Sequence, residues 1–133
     1  MNPHYARVAL RAGHRCEYCR APEATFNSPF EVEHIIPLSR GGADTESNLA
    51  LACRSCNLRK ATHVSGIDSE TGAEVRLFHP REDSWNEHFW AQTEGGEIAG
   101  LTAIGRATIA RLKVNSDLQV AARREWMRLG LFP

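Results

Sequence analysis

The residues with the most distinctive chemistry are four cysteines, which form two Cys-x-x-Cys pairs. Cys16 and Cys19 make the first pair, Cys53 and Cys56 make the second, and 33 residues lie between the pairs. A Cys-x-x-Cys turn directs two thiolates at one metal ion, and two such turns complete the tetrahedral sulfur shell that zinc prefers. The spacing therefore predicts a structural Zn²⁺ site. A redox-active pair and four unrelated buried thiols are the alternatives, but neither motif lies in a βαβ pattern and unrelated thiols would not share one spacing.

A second group of polar residues lies between the cysteine pairs and just after them. Glu33 and His34 are adjacent, and Asn48 follows a Gly-Gly loop. Asn57 and Lys60 come one helical turn apart, directly after the second cysteine pair. The ordinary pKa of histidine lies near neutrality, so histidine is the natural general base, whereas carboxylate and amide oxygens suit Mg²⁺. Each residue also has an ordinary structural interpretation: a hydrogen-bonded strand histidine, a turn asparagine and an exposed helix lysine.

Local patterns predict the elements that position these residues. Alternation of apolar and polar side chains indicates strands, and Ser, Asn or Thr before a run without helix breakers indicates a helix start. Gly after such a run indicates a helix end. In the first half we expect a helix at 3–12 capped by Asn2, a strand at 30–36 ended by Pro37, a strand at 48–52 and a helix at 56–62 capped by Ser55. In the second half we expect a strand at 73–78 and a helix at 102–113. A last helix begins at the capping box Ser116-x-x-Gln119 and runs to 129.

The expected core combines aromatic residues with one side of the last helix. Trp85, Phe89 and Trp90 are expected to be buried, because large aromatic side chains more often build a core than a ligand surface. On the last helix, helical spacing groups four residues on one side, which we expect to face the core: Leu118, Ala122, Trp126 and Leu129.

Length and composition indicate one folded domain. The chain has 133 residues, of which 42% are hydrophobic and 24% charged, a profile typical of a globular protein. No apolar run reaches the roughly 18 residues of a membrane-spanning helix, so we expect no membrane partner. The N-terminal residues lack the apolar segment of a signal peptide, and we therefore expect a cytoplasmic protein.

The net charge is zero at pH 7, which argues against indiscriminate binding to polyanions. The charges are nevertheless segregated: 1–20, 53–63 and 100–133 are basic, whereas 21–52 and 64–99 are acidic. We expect the fold to bring basic segments together on one nucleic-acid-binding face; ordinary surface scatter is the alternative. The basic residues expected to contact phosphates are Arg54, Arg59 and Lys60 beside the polar group, and Arg123, Arg124 and Arg128 on the last helix.

The order of these motifs resembles the HNH endonuclease family with its ββα-metal, or His-Me finger, core, in the subtype that has a four-cysteine zinc knuckle. The resemblance over 13–63 rests on both cysteine pairs, Glu33-His34-Ile35-Ile36-Pro37, Gly41-Gly42, Asn48-Leu49 and Asn57-x-x-Lys60. Residues 64–133, with Leu77-Phe78-His79-Pro80-Arg81, Trp85-x-x-His88-Phe89 and Gly100-Leu101-Thr102, resemble the tail of stand-alone bacterial and cyanobacterial members. The resemblance implies one small α+β domain at 1–133, in which a zinc-held ββα-metal core at 13–63 carries added helices and a short hairpin at 64–133.

The resemblance implies a metal-dependent DNA endonuclease. His34 would act as the base on water, and Glu33 and Asn57 would hold Mg²⁺ or Mn²⁺. Asn48 would support the loop and orient His34, and Lys60 would contact the phosphate. Two residues depart from the usual family pattern, because Glu33 stands where Asp is commoner and Asn57 stands at the second histidine of the family name. Neighbouring strand residues point to opposite faces, so Glu33 and His34 can serve one phosphate only if the strand twists or ends there.

Two other function classes fit parts of the same sequence. A zinc-stabilised nucleic-acid-binding module without cleavage activity would need the cysteines and a basic face, but no carboxylate beside a phosphate. A zinc domain that binds proteins and no nucleic acid is the other alternative. DNA is the expected partner, and RNA stays open as an alternative.

Overall fold

The two strands predicted between the cysteine pairs form an antiparallel hairpin. In the computed structural model, which describes residues 1–133, β1 (Glu31–His34) pairs with β2 (Leu49–Ala52), and His34 lies opposite Leu49. β1 is shorter than the predicted strand at 30–36. Ile35 N still donates to the Asn48 carbonyl oxygen at 2.9 Å, but Ile36 N donates to the Asn48 side chain, at Oδ1, also at 2.9 Å. Every residue of β2 is buried, so this strand forms the centre of the core.

Helices α1 (Tyr5–Arg11) and α2 (Arg54–Lys60) flank the hairpin. Arg11 holds α1 against β2, because its guanidinium donates to the Leu49 carbonyl oxygen at 2.5 Å. α2 begins two residues before the predicted helix at 56–62, and Ser55 is not its cap. Cys53 is the N-cap, since its Sγ accepts a hydrogen bond from the backbone N–H of Cys56 at 3.5 Å. The cysteine thus ends β2 and starts the helix.

The second half of the chain adds two hairpins and three helices. Of the four strands in these hairpins the sequence predicted one, and of the three helices it predicted the two long ones. Every strand here has only three residues, too few for alternation to identify. None of the helices combines the length and apolar character that a membrane crossing requires. The elements are β3 (Ser65–Ile67), β4 (Glu74–Arg76), α3 (Trp85–His88), β5 (Phe89–Ala91), β6 (Ile98–Gly100), α4 (Ala103–Leu112) and α5 (Asp117–Arg128).

Helix α4 packs against both hairpins and against α2. Thr102 caps its N-terminus, with Oγ1 accepting from Gly105 N at 3.0 Å. Gly105 does not interrupt the helix, because a side chain at this position would collide with the backbone carbonyl oxygen of His88. The glycine therefore permits close packing of α4 on the end of α3.

One buried cluster contains the four cysteines, β2 and aromatic residues from the second half of the chain. Phe89 and Trp85 are buried as expected, but Trp90 is 56% exposed, because adjacent residues of β5 point to opposite faces. The predicted apolar side of α5 is buried only in part: Trp126 packs against the core, but Leu118 is 84% exposed, whereas Arg123 is only 1% exposed. The Arg123 guanidinium donates to the carbonyl oxygens of Gly96 and Val114. The side of α5 that carries Arg123 therefore faces inward.

Candidate functional site

The four cysteine sulfur atoms form one buried cluster. All lie within 4.8 Å of one another, and Cys19 Sγ is 3.8 Å from Cys53 Sγ. A zinc ion bound tetrahedrally at the usual Zn–S distance would give sulfur–sulfur edges of roughly 3.8 Å. Backbone N–H groups of Cys19 and Cys56 point at the sulfurs of Cys16 and Cys53 at 3.5 Å, which favours thiolates. The cluster fits structural zinc, as the sequence predicted.

Asn48 holds the loop that connects the two strands of the hairpin. It is 8% exposed. Its Oδ1 accepts from Ile36 N at 2.9 Å, and its Nδ2 donates to the carbonyl oxygens of Ile36 at 2.9 Å and Ala43 at 2.8 Å. Gly42 is required in this loop, because a side chain there would overlap the Ile36 carbonyl group and the Asn48 amide. These contacts support the loop beside His34; an orienting effect on His34 itself stays a prediction.

His34 is the last residue of β1, and its side chain is 24% exposed. Its Nε2 lies 2.9 Å from Asp44 Oδ1, and Nδ1 makes no hydrogen bond within the protein. Hydrogen bonding with His34 holds the pKa of Asp44 below its usual value. His4, at the start of α1, is 3.8 Å from the same carboxylate oxygen. Sequence reasoning missed the contact of Asp44 with His34. The only feature of the sequence that could have indicated it is a carboxylate two residues after the Gly-Gly turn, where the chain returns past His34.

Glu33 and Lys60 form a buried ion pair, in which Lys60 Nζ is 3.1 Å from Glu33 Oε2. Tyr18 donates to the other oxygen of Glu33. Burial raises the pKa of Glu33, although the Lys60 charge opposes this shift. Lys60 is 1% exposed and also donates to the carbonyl oxygen of Ile35 at 2.8 Å. The expected phosphate contact of Lys60 and the alternative of an exposed lysine are therefore both wrong in this structure, because α2 turns the ammonium toward β1.

Asn57 contacts a different carboxylate from the one expected, because its Nδ2 donates to Glu31. The two residues line an open cleft of about 700 Å³ together with Tyr5, Phe30 and Leu58. The Glu31 side chain is 38% exposed, and Asn57 Oδ1 makes no hydrogen bond within the protein. The oxygen ligands of this cleft therefore fit a hard divalent cation. Glu33 does not fit as placed, because it is buried and already neutralised by Lys60.

The basic residues expected on one face make separate contacts in the structure. Arg59 donates to the carbonyl oxygen of Lys113 at 2.8 Å and to Gln119 Oε1 at 3.1 Å, so it joins α2 to the start of α5. Arg124 and Arg128 lie on another side of α5, where they line a depression together with Glu94 and Glu125. Arg54 is the exception: its side chain is 75% exposed, and its contact with Glu31 is 3.4 Å long.

A family model described as HNH endonuclease matches residues 16–63. This segment belongs to the HNH endonuclease family. The HNH segment begins at the first cysteine pair and ends just after α2, so it contains the sulfur cluster, the hairpin and Asn57. No curated protein and no solved structure matches the chain. The HNH segment indicates a nuclease that acts on nucleic acid, and its four cysteines fit the zinc-knuckle subtype.

Proposed function

We propose that this protein is a metal-dependent endonuclease that hydrolyses DNA phosphodiester bonds, with residues 64–133 as an accessory part of the same domain. The observation that carries the proposal is the HNH match over 16–63. Within that segment the hairpin and α2 follow one another around the cysteine cluster, and they carry His34 and Asn57. A domain that only binds nucleic acid does not need an imidazole that is held by a carboxylate at one ring nitrogen and has no protein partner at the other.

His34 acts as the general base on water. When Nε2–H donates a hydrogen bond to Asp44 Oδ1, the lone pair of the neutral ring lies on Nδ1, which has no protein partner. Nδ1 can then accept a proton from an attacking water molecule. Asp44 is a positioning residue in this scheme, because it acts on the reaction only by fixing the tautomer and orientation of the ring. Asn48 contributes from further away by supporting the loop that carries Asp44.

Asn57 and a carboxylate of β1 would hold Mg²⁺ or Mn²⁺. When bound, such a cation stabilises negative charge on the phosphate and on the leaving oxygen. Glu33 is the carboxylate that the family resemblance implies, but its oxygens accept from Tyr18 and Lys60. Glu31 already contacts Asn57 in the open cleft. We therefore assign the ligand role to Glu31 and a structural role in the ion pair with Lys60 to Glu33.

One observation favours a second function, a zinc-stabilised module that binds nucleic acid without cleaving it. The burial of Glu33 in an ion pair removes the carboxylate next to His34 from the surface. In such a module His34 and Asp44 would form only a structural pair.

Cleavage of supercoiled plasmid separates the two functions. The zinc-loaded protein should convert supercoiled DNA to nicked or linear DNA with Mg²⁺ or Mn²⁺, and should fail to do so when neither is added. Zinc content is measured in each sample, because a chelator would also remove structural zinc. Binding without any metal-dependent strand cleavage would establish the second function instead.

A further inference from the structure

An apolar groove opens beside the cysteine cluster, between α2 and α5. Its volume is about 540 Å³. Leu58 of α2 and Leu118 of α5 form opposite walls, and they are 62% and 84% exposed. Phe26 and Trp126 lie along the same groove, with ring centroids 6.0 Å apart. Phe26 is 42% exposed and Trp126 is half-buried. Contiguous apolar surface of this kind indicates a binding site more than a solvated face.

The groove adjoins the candidate nuclease cleft. Leu58 lines both of them, and Asn57 precedes it in the chain and in the cleft. Arg54 lies one helical turn before Leu58 and lines the groove. Its contact with Glu31 is long and exposed, so it costs little to break and leaves the guanidinium free for a phosphate. The exposed side of α2 thus carries the Arg54 guanidinium and borders both the oxygen-lined cleft and the apolar groove.

We propose that the groove takes an unpaired nucleobase next to the scissile phosphate, while Arg54 binds the backbone phosphate between base and cleft. A base offers a flat apolar face to Trp126 and Phe26, and such stacking accepts any base. This assignment rests on the proposed function and narrows its substrate to nucleic acid with a flipped, mismatched or single-stranded nucleotide. A second copy of this chain would also cover the apolar walls, but it would not account for Arg54 or for the position of the groove beside the cleft.

Binding to three DNA probes tests the proposal. The His34→Ala protein, loaded with zinc and Mg²⁺, is titrated against a perfect duplex, the same duplex with one unpaired nucleotide, and that duplex with an abasic residue at the unpaired position. We expect the probe with the unpaired base to bind at least tenfold more tightly than the other two and to quench tryptophan fluorescence. An RNA version of the unpaired strand reports which nucleic acid supplies the base.

Substitutions in the groove identify the site. Trp126→Ala and Leu118→Ser should each remove the preference for the unpaired base, whereas Trp90→Ala, at an exposed tryptophan of β5, should retain it. Leu118 is highly exposed, so Leu118→Ser keeps the test valid if Trp126→Ala does not fold. Equal affinity for the three probes, or a preference that survives both substitutions, would overturn the proposal. Self-association of the unbound protein that Leu118→Ser abolishes would do so too.

The binding test and the cleavage test fail independently. Preference for the unpaired base in a protein whose wild type never cleaves DNA would leave the groove assignment in place and remove the endonuclease proposal. Metal-dependent cleavage without base preference would remove only the groove assignment.

Discussion

The HNH segment and the remainder of the chain bury charged side chains in different ways. In the HNH segment Lys60 bonds to Glu33, and both belong to the ββα unit that also carries His34 and Asn57. In the second half Asp68 is fully buried against Arg106, with a closest distance of 2.7 Å. Arg123 bonds only to backbone carbonyl oxygens. The comparison shows that an ion pair joins β1 to α2 in the first region, whereas in the second region Arg106 and Arg123 join α4 and α5 to neighbouring connecting segments.

Loss of zinc should have the largest effect, and it should act on the HNH segment first. In Cys56→Ser one ligand is lost, and with it much of a zinc-binding free energy of about 10–16 kcal/mol in small zinc domains. We expect zinc content to fall below half an equivalent and α2 to lose its helical signal. Metal analysis and circular dichroism check this, with Ser55→Ala as the matched control. A zinc-free Cys56→Ser protein with an unchanged melting curve would contradict the structural role of zinc.

Arg123→Met should have the largest effect in the second region. The substitution keeps most of the side-chain volume but leaves the carbonyl oxygens of Gly96 and Val114 without their donor. We expect a loss of about 3 kcal/mol in the free energy of unfolding, measured in urea. Arg124→Met, one residue away and exposed, should change stability by less than about 0.5 kcal/mol. Equal stability of the two variants would show that the buried guanidinium contributes nothing.

The two β1 carboxylates should differ in Mn²⁺ binding. Glu31→Gln removes the charged oxygen beside Asn57 and should weaken Mn²⁺ binding about tenfold or more. Glu33→Gln leaves Lys60 without its ionic partner, so we expect it to lower stability and to leave Mn²⁺ affinity within about twofold. Electron paramagnetic resonance of free Mn²⁺ measures binding without any need for turnover. The reverse pattern would return the ligand role to Glu33.

The smallest effect is expected from the exposed arginines of α5. Arg124→Ala with Arg128→Ala should leave DNA affinity and its salt dependence unchanged, since both residues lie beside Glu94 and Glu125. Arg54→Ala should weaken binding to all sequences and reduce the salt slope by about one. A large loss of DNA affinity in the double variant would show that DNA extends over α5, as the charge pattern of the sequence indicates.

Residues whose positions follow from local chemistry could be predicted from the sequence. The cysteine cluster followed from the shared spacing of two motifs, and the hairpin from alternation that Pro37 ends. The loop-supporting role of Asn48 came from the family resemblance, because its contact with Ile36 spans 12 residues. The N-cap of α2 was not predicted, because the sulfur of Cys53, a cysteine of the metal-binding cluster, accepts the capping hydrogen bond in place of a serine hydroxyl.

Residues whose positions depend on distant partners could not be predicted. Arg59 has the sequence context of any helix arginine, and its role comes from the carbonyl oxygen of Lys113, 54 residues later. Lys60 likewise becomes buried only because Glu33 lies opposite it on β1, 27 residues earlier. Glu31 and Asp44 were missed for the same reason, since their roles arise from contacts with Asn57 and His34 and not from a motif.

The rate of plasmid nicking by His34→Ala tests the central claim most directly. The variant is compared with wild type in Mg²⁺ at equal zinc content, and His63→Ala, at an exposed histidine just after α2, is the matched control. Removal of a general base should lower the rate by about 10²- to 10⁴-fold, while DNA affinity and zinc content stay within about twofold of wild type. His63→Ala should nick at the wild-type rate. A His34→Ala protein that nicks as fast as wild type would contradict the account.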